Sequence, residues 1–121
     1  MNKIENFGYL GYNFQIKILH LIIIDKSFAN SIIDSILPKY FDNQYFKLIM
    51  QLIKDYYDKY DSVPTFEGLQ QLTQLEISSE MAKKNVIDTL KEVKESSFDD
   101  HLFIKEKTIK FCKQQELQKA I

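Results

Sequence analysis

The sequence has a single cysteine, a nearly balanced charge and no long apolar run. One cysteine, Cys112, cannot form a disulfide within the chain, which is typical of proteins from a reducing compartment. The 16 basic residues nearly match the 17 acidic residues, so no overall positive charge favours nucleic acids. The apolar run at residues 21–24 is far shorter than the about 20 residues that span a bilayer, and Lys17, His20 and Asp25 interrupt or bound it. We therefore expect a cytoplasmic protein without a membrane segment.

Glycine and proline are also scarce, with three and two residues respectively, and no stretch alternates cleanly between apolar and polar residues. This pattern predicts an all-α fold, a compact bundle of about six helices. A chain of 121 residues is long enough for one domain to bury a core without metal or disulfide. We divide it into an amino-terminal arm at residues 1–11, a helical head domain at 12–100 and an outgoing helix at 101–121.

Apolar spacing and capping residues predict where the first two helices lie. The segment from Tyr12 to Ile24 is apolar nearly all round, which indicates a helix at the centre of the core. Ser27 is the expected N-cap of the second helix. That helix is expected to bury residues as far as Ile36 and to end before Pro38.

The third predicted helix, Gln44–Tyr60, has the clearest amphipathic pattern. Tyr56 and Tyr60 fall on its apolar stripe, whereas Lys54 falls on the opposite, polar face. The fourth helix is expected to begin after Thr65 and to run through Leu69, Leu72 and Leu75. The fifth and sixth helices are expected to follow N-cap residues, Ser78 or Ser79 for the fifth and Asp99 or Asp100 for the sixth.

The final segment, FIKEKTIKFCKQQELQKAI, carries apolar residues on two sides when its residues are placed at about 100° steps. One side is expected to pack on the domain itself, through Ile104, Phe111 and Cys112. The other side is expected to contact a partner or another copy, through Leu102, Ile109, Leu117 and Ala120. Since no glycine, asparagine or proline ends this helix, we expect it to be the first arm of a helical hairpin in a longer protein.

No residue pattern predicts a catalytic, cofactor-binding or metal site. None of the glycines begins a phosphate-binding loop with a lysine at the required spacing. Cys112 has no histidine or asparagine beside it, so we expect it to pack as a small buried residue. A metal site built from two histidines and two aspartates is conceivable but not favoured, because acidic residues before a helix more often cap it; the four residues are His20, His101, Asp99 and Asp100. The acidic series Asp55, Asp58 and Asp61 is interpreted as a solvated face, not as paired catalytic carboxylates.

A few side chains can be considered for weak contact with single-stranded DNA. Tyr57 can stack on a base, while Lys110 and Lys113 on the last helix can contact phosphates. The basic bias of the last helix is mild, and a solvated helix surface is the simpler interpretation. Tyr56 and Tyr60 are assigned to the core and not to this site.

The order of segments resembles the amino-terminal domain of DnaB-family replicative helicases, in the divergent form carried by tailed phages. The resemblance covers roughly residues 12–121 and rests on hydrophobic spacing more than on invariant residues. Its clearest part is the stretch HLIIIDKSFANSIIDSILPKYFDNQYFKLIMQLIKDYYDKYDSVPTFEGL. The final segment, beginning at Phe103, resembles the family's entry into a helical hairpin. Residues 76–97 depart most from the family pattern.

The resemblance implies a non-catalytic collar domain that assembles the helicase ring. In that family the motor, with its ATP and magnesium, lies in a separate carboxy-terminal domain, so no catalytic residue is carried over to this chain. The implied partners are other copies of the chain, as a dimer or a trimer of dimers within a hexamer, together with primase, a helicase loader and single-stranded DNA. Two alternatives remain open, a stand-alone helical regulator that binds another protein and a weak single-stranded DNA-binding module.

Overall fold

The computed structural model of the chain describes residues 4–97 and 99–119. Within these residues the fold is an all-α bundle of six α-helices, which confirms the predicted class. The helices are α1 (Tyr12–Ile24), α2 (Lys26–Ile32), α3 (Gln44–Tyr60), α4 (Phe66–Glu76), α5 (Glu80–Lys94) and α6 (His101–Lys119). Short 3-10 turns at Phe7–Leu10 and Pro38–Tyr40 precede α1 and α3. No helix in this described part of the chain is long and apolar enough to cross a membrane.

The helix α1 lies in the centre of the bundle, as its apolar residues on all sides predicted. It packs against α2, α5 and α6 and makes a smaller contact with α3. Ile18, Leu19 and Ile22 on this helix are completely or almost completely buried. Burial of side chains of this size contributes about 1.5–3 kcal/mol each relative to exposure. The helix α1 therefore supports most of the other elements.

Local capping determines where several helices begin. The Thr65 hydroxyl accepts a hydrogen bond from the Gly68 amide at 3.0 Å, which confirms the predicted start of α4. The Ser79 hydroxyl accepts one from the Ala82 amide at 3.2 Å at the start of α5. Asp100 precedes α6 with a φ of 61°, and its carbonyl accepts a hydrogen bond from the Ile104 amide.

The predicted N-cap of α2 was wrong. Asp25, not Ser27, caps this helix, because its carboxylate Oδ1 accepts a hydrogen bond from the Phe28 amide at 3.0 Å. Asp25 is also the residue that ends α1, so one residue separates the two helices and Ser27 falls inside the first turn of α2. The helix ends at Ile32, and Ile36 is buried outside it.

The third helix has the predicted bounds, but two of its side chains lie elsewhere than predicted. Tyr60 was assigned to the core, yet 55% of it is exposed. Lys54 was assigned to the polar face, yet it is half-buried, and its Nζ donates hydrogen bonds to the carbonyls of Ile33 and Ile36 at 2.9 and 2.7 Å. These carbonyls follow the last turn of α2, where a cation is favourable. The ammonium of Lys54 therefore joins α3 to the end of α2.

The amino-terminal arm and α6 meet in one aromatic cluster. Phe7 is fully buried and its ring lies 4.6 Å from that of Phe111 and 5.2 Å from that of Phe41, between centroids. The Gln115 side chain also donates a hydrogen bond to the carbonyl of Ile4 at 2.8 Å. Contacts of α6 with α1 and α2 complete the packing of its inner face. The described part of the arm and α6 therefore both pack on the head domain.

Candidate protein-binding surfaces

A groove lies between α3 and α4 on the described part of the chain. We call it the α3–α4 groove, and its volume is about 530 Å³. One wall is a row of α3 side chains spaced by four residues, Leu48, Leu52, Tyr56 and Tyr60. The opposite wall consists of Leu72 and Leu75 on α4 and of Ile77, which follows it. Residues four apart on a helix lie above one another, so the α3 row is a continuous ridge.

The walls of the α3–α4 groove expose large apolar side chains. Leu75, on the last turn of α4, is 79% exposed. The rings of Tyr56 and Tyr60 lie 4.6 Å apart between centroids and form one aromatic end of the groove. From Leu48 to Tyr60 the ridge spans about 18 Å, which matches about three turns of a docked helix. The groove therefore has the dimensions and the apolar lining of a helix-binding site.

Charged and amide side chains form the rim of the α3–α4 groove. Asp55 and Glu76 are exposed carboxylates, and Gln51 donates a hydrogen bond to the Asp55 carboxylate at 2.8 Å. The Nζ of Lys59 lies 5.5 Å from the centroid of the Tyr60 ring, within the range of a cation–π contact. The rim thus has two carboxylates, one ammonium and one amide, and apolar walls with a polar rim are the usual arrangement of a protein-binding surface.

The predicted interface residues of α6 face solvent to different extents. Leu102 is 71% exposed and Leu117 is 67% exposed, whereas Ile109 is half-buried and packs against the core. Ala120 lies outside the described residues. Leu102 and Leu117 are about 22 Å apart along the helix. The outer face of α6 therefore presents two separate apolar ends and not one continuous stripe.

The residues predicted to contact nucleic acid do not share one site. Tyr57 is half-buried, and its hydroxyl donates a hydrogen bond to Asn30 on α2 at 3.3 Å. Lys113 is exposed on α6, while Lys110 lines a small cleft of about 240 Å³ to which Tyr57 does not belong. The exposed aromatic ring of this cleft is Tyr9, which the sequence reasoning missed because it lies in the arm between two glycines.

The histidine and cysteine side chains have structural partners. The Nδ1 of His20 lies 2.8 Å from the Val93 carbonyl, and because a carbonyl can only accept, Nδ1 carries the hydrogen. Within the described ranges, no group of three or more histidine, cysteine, aspartate and glutamate residues could hold a metal ion. Only 2% of Cys112 is exposed, and burial raises the pKa of its thiol to about 12. This sulfur is therefore a protonated, packed group at neutral pH.

Comparison of the chain with protein-family models, with curated proteins and with solved structures found no match.

Proposed function

We propose that this chain is a non-catalytic assembly and docking domain, which works by binding other protein chains. The observation that carries the proposal is the pair of exposed apolar surfaces, the α3–α4 groove and the outer face of α6, on a body that is otherwise well packed. Leu75 in the groove and Leu102 and Leu117 on α6 are 79%, 71% and 67% exposed, and large apolar side chains cost free energy when they remain in water.

The most specific form of the proposal is the amino-terminal collar of a hexameric replicative DNA helicase in the cytoplasm of a bacterial or phage-infected cell. The resemblance in segment order supports it, as does the continuation of α6 for several residues past its buried Phe111 and Cys112. In this form the chain assembles the ring and docks primase or a loader, while ATP and magnesium bind to another domain of the same protein.

Self-association of the purified chain tests the general proposal. We expect sedimentation equilibrium to show assembly that the double variant Leu102→Glu/Leu117→Glu weakens by at least about tenfold. Met81→Glu is the matched control, because Met81 is 75% exposed but lies on neither surface. Thermal unfolding by circular dichroism would establish that all three proteins keep the same fold. A wild-type chain that stays monomeric and binds no replication protein would contradict the proposal.

The helicase form has a separate test. The source gene downstream of the codon for Ile121 should encode a strand followed by a GxxxxGK[ST] motif. The purified chain should also bind the primase of the same genome, and Leu75→Glu should weaken that binding if primase uses the α3–α4 groove. A downstream sequence without such a motif would leave the general assembly function in place and remove the helicase form.

Weak binding of single-stranded DNA is a second candidate function, favoured by the cleft around Tyr9. Lys107 and Lys110 line this cleft beside the exposed ring of Tyr9, and this combination suits a stacked base and its phosphates. Fluorescence anisotropy with oligothymidine should show affinity that falls with salt and with Tyr9→Ala or Lys110→Gln. Tyr57→Phe is the control, since that ring faces α2. Affinity that ignores Tyr9 would exclude this candidate.

A further inference from the structure

The α3–α4 groove and the carboxy-terminal end of α6 have complementary surfaces, and this inference rests on the proposed self-assembly. We infer that the groove of one copy receives the end of α6 from a second copy, with Leu117 entering the groove and Lys113 lying beside Asp55 and Glu76. The contact joins two different surfaces of the same chain, so each copy both gives and receives a helix.

The shapes of the two surfaces agree. On α6, Ile109, Lys113 and Leu117 are spaced by four residues and form a ridge, as Leu48, Leu52, Tyr56 and Tyr60 do on α3. Interdigitation of two such ridges is the commonest mode of helix packing in globular proteins. Leu117 is 67% exposed at this end of α6 and is apolar like Leu52, Leu72 and Leu75, which line the groove.

The charges agree as well. Lys110 and Lys113 are exposed on α6 within two turns of Leu117, and both rim carboxylates of the groove, Asp55 and Glu76, are exposed. Lys59, the basic residue on the rim, has a possible complement in Glu116, which is exposed next to Leu117. Such complementary pairs orient a partner and disfavour the reversed arrangement.

A copy cannot place its own α6 in its own groove. The inner face of α6 packs against α1 and α2, with Ile104, Thr108 and Phe111 buried, and no α6 residue that the structure describes lines the α3–α4 groove. An α6 end that enters this groove therefore comes from another copy. A contact between unlike surfaces generates a closed ring if the rotation between neighbours closes, and an open chain if it does not.

Complementation between two variants tests this inference. Leu75→Glu damages the groove and leaves α6 intact, whereas Leu117→Glu damages α6 and leaves the groove intact. Both residues are mostly exposed, so both variants should fold, and thermal unfolding checks this. Sedimentation velocity should show that each variant alone is monomeric at concentrations where the wild-type chain assembles. Their equimolar mixture should form a complex of one copy of each, because one intact groove and one intact helix end remain.

Charge reversal provides an independent readout. Lys113→Glu should weaken assembly by about tenfold, and Asp55→Lys combined with Glu76→Lys should do the same. A chain carrying all three changes should recover most of the wild-type affinity. Met81→Glu again controls for a general effect of a new surface charge.

The outcomes separate this inference from the proposed function. One outcome is that Leu75→Glu assembles like the wild-type chain while Leu117→Glu does not. In that outcome α6 contacts α6 of another copy or a different surface, and the groove is left for a different partner. The inference is then overturned, although the assembly function stands. Mixed variants that both stay monomeric would likewise exclude a contact between unlike surfaces. A wild-type chain that never self-associates would overturn the inference and the proposed self-assembly together.

Discussion

The carboxylate of Asp25 forms an ion pair with the ammonium of Lys105 and so joins α6 to the junction of α1 and α2. The same carboxylate caps α2 through the Phe28 amide. Hydrogen bonding to Lys105, followed by that to Phe28, lowers the pKa of Asp25. One residue therefore ends a helix, begins the next and positions the first turns of the helix that carries the proposed assembly surface.

Asp25→Asn should distinguish the contribution of the ion pair to the free energy of unfolding from the contribution of the N-cap. Asparagine is a good N-cap, so this variant loses mainly the charge and should cost about 0.5–1 kcal/mol, whereas Asp25→Ala should cost about 1–2 kcal/mol. Urea unfolding at pH 7 measures both changes. Lys105→Met provides the matched loss of the partner charge, and equal costs for Asp25→Asn and Asp25→Ala would contradict the capping role.

Acid should remove the stabilisation that the Asp25 charge provides. Its pKa is lower in the folded state than in the unfolded chain, so the unfolded chain binds the proton first as the pH falls. The contribution is present above the unfolded pKa, about pH 4, and is lost as the pH falls through the folded pKa. Urea unfolding of wild-type and Asp25→Asn chains between about pH 6 and pH 2 should show their stabilities converging at the acid end.

Lys54→Met should destabilise the junction between α2 and α3. The substitution removes the donor to the carbonyls of Ile33 and Ile36 while it keeps an apolar stem, and we expect a loss of about 1–3 kcal/mol. Lys59→Met is the control, because Lys59 lies on the same helix and is exposed. Chemical unfolding, monitored by circular dichroism, measures the free energy of unfolding of both variants. Equal, negligible losses would show that the two hydrogen bonds of Lys54 contribute nothing to stability.

Tyr40→Phe should leave the stability unchanged or increase it by up to about 1 kcal/mol. The Tyr40 hydroxyl is buried, and no hydrogen-bond partner for it occurs among the described residues. Tyr45→Phe is the contrast, because the Tyr45 hydroxyl accepts a hydrogen bond from Asn85 at 2.9 Å and its loss should cost about 0.5–1.5 kcal/mol. Differential scanning calorimetry ranks the two variants, and a larger loss for Tyr40→Phe would reveal an ordered partner of its hydroxyl.

Cys112 should react slowly with thiol reagents in the folded chain. Burial raises the pKa of its thiol to about 12, so little thiolate is present at pH 8 and the sulfur is covered. We expect alkylation by iodoacetamide to be slower by roughly two orders of magnitude in buffer than in urea, because reaction requires local opening. Free cysteine under the same two conditions controls for the effect of urea on the reagent. Similar rates in both solvents would show that α6 opens readily from the core.

The helix bounds could be predicted because their signals are local. Thr65 and Ser79 cap helices through hydrogen bonds to amides three residues later, and the bounds of α3 follow from a period of 3.6 residues. The error at Ser27 is also local, since Asp25, two residues earlier, caps the helix through the Phe28 amide. Such competition is visible in sequence only when the end of the preceding helix is known.

The faces of the helices were harder to predict than their bounds. On α3, Lys54 was expected in solvent but meets the carbonyls of Ile33 and Ile36, whereas Tyr60 was expected in the core but is 55% exposed. Apolar periodicity reports which residues share a side, but not which neighbour covers that side. For this reason the exposure of Leu75 and the α3–α4 groove could not be anticipated.

The sequence by itself determined the all-α class, most helix limits and the apolar inner side of α6, since these depend on residues within a few positions of one another. Only the tertiary structure decided that Asp25 meets Lys105, that Lys54 joins α3 to α2, and that α3 and α4 enclose a groove with acidic residues on its rim. These features need groups that are distant in the chain, such as Lys54 and Ile33, which are 21 residues apart. Their meeting depends on how whole helices pack, which no local pattern specifies.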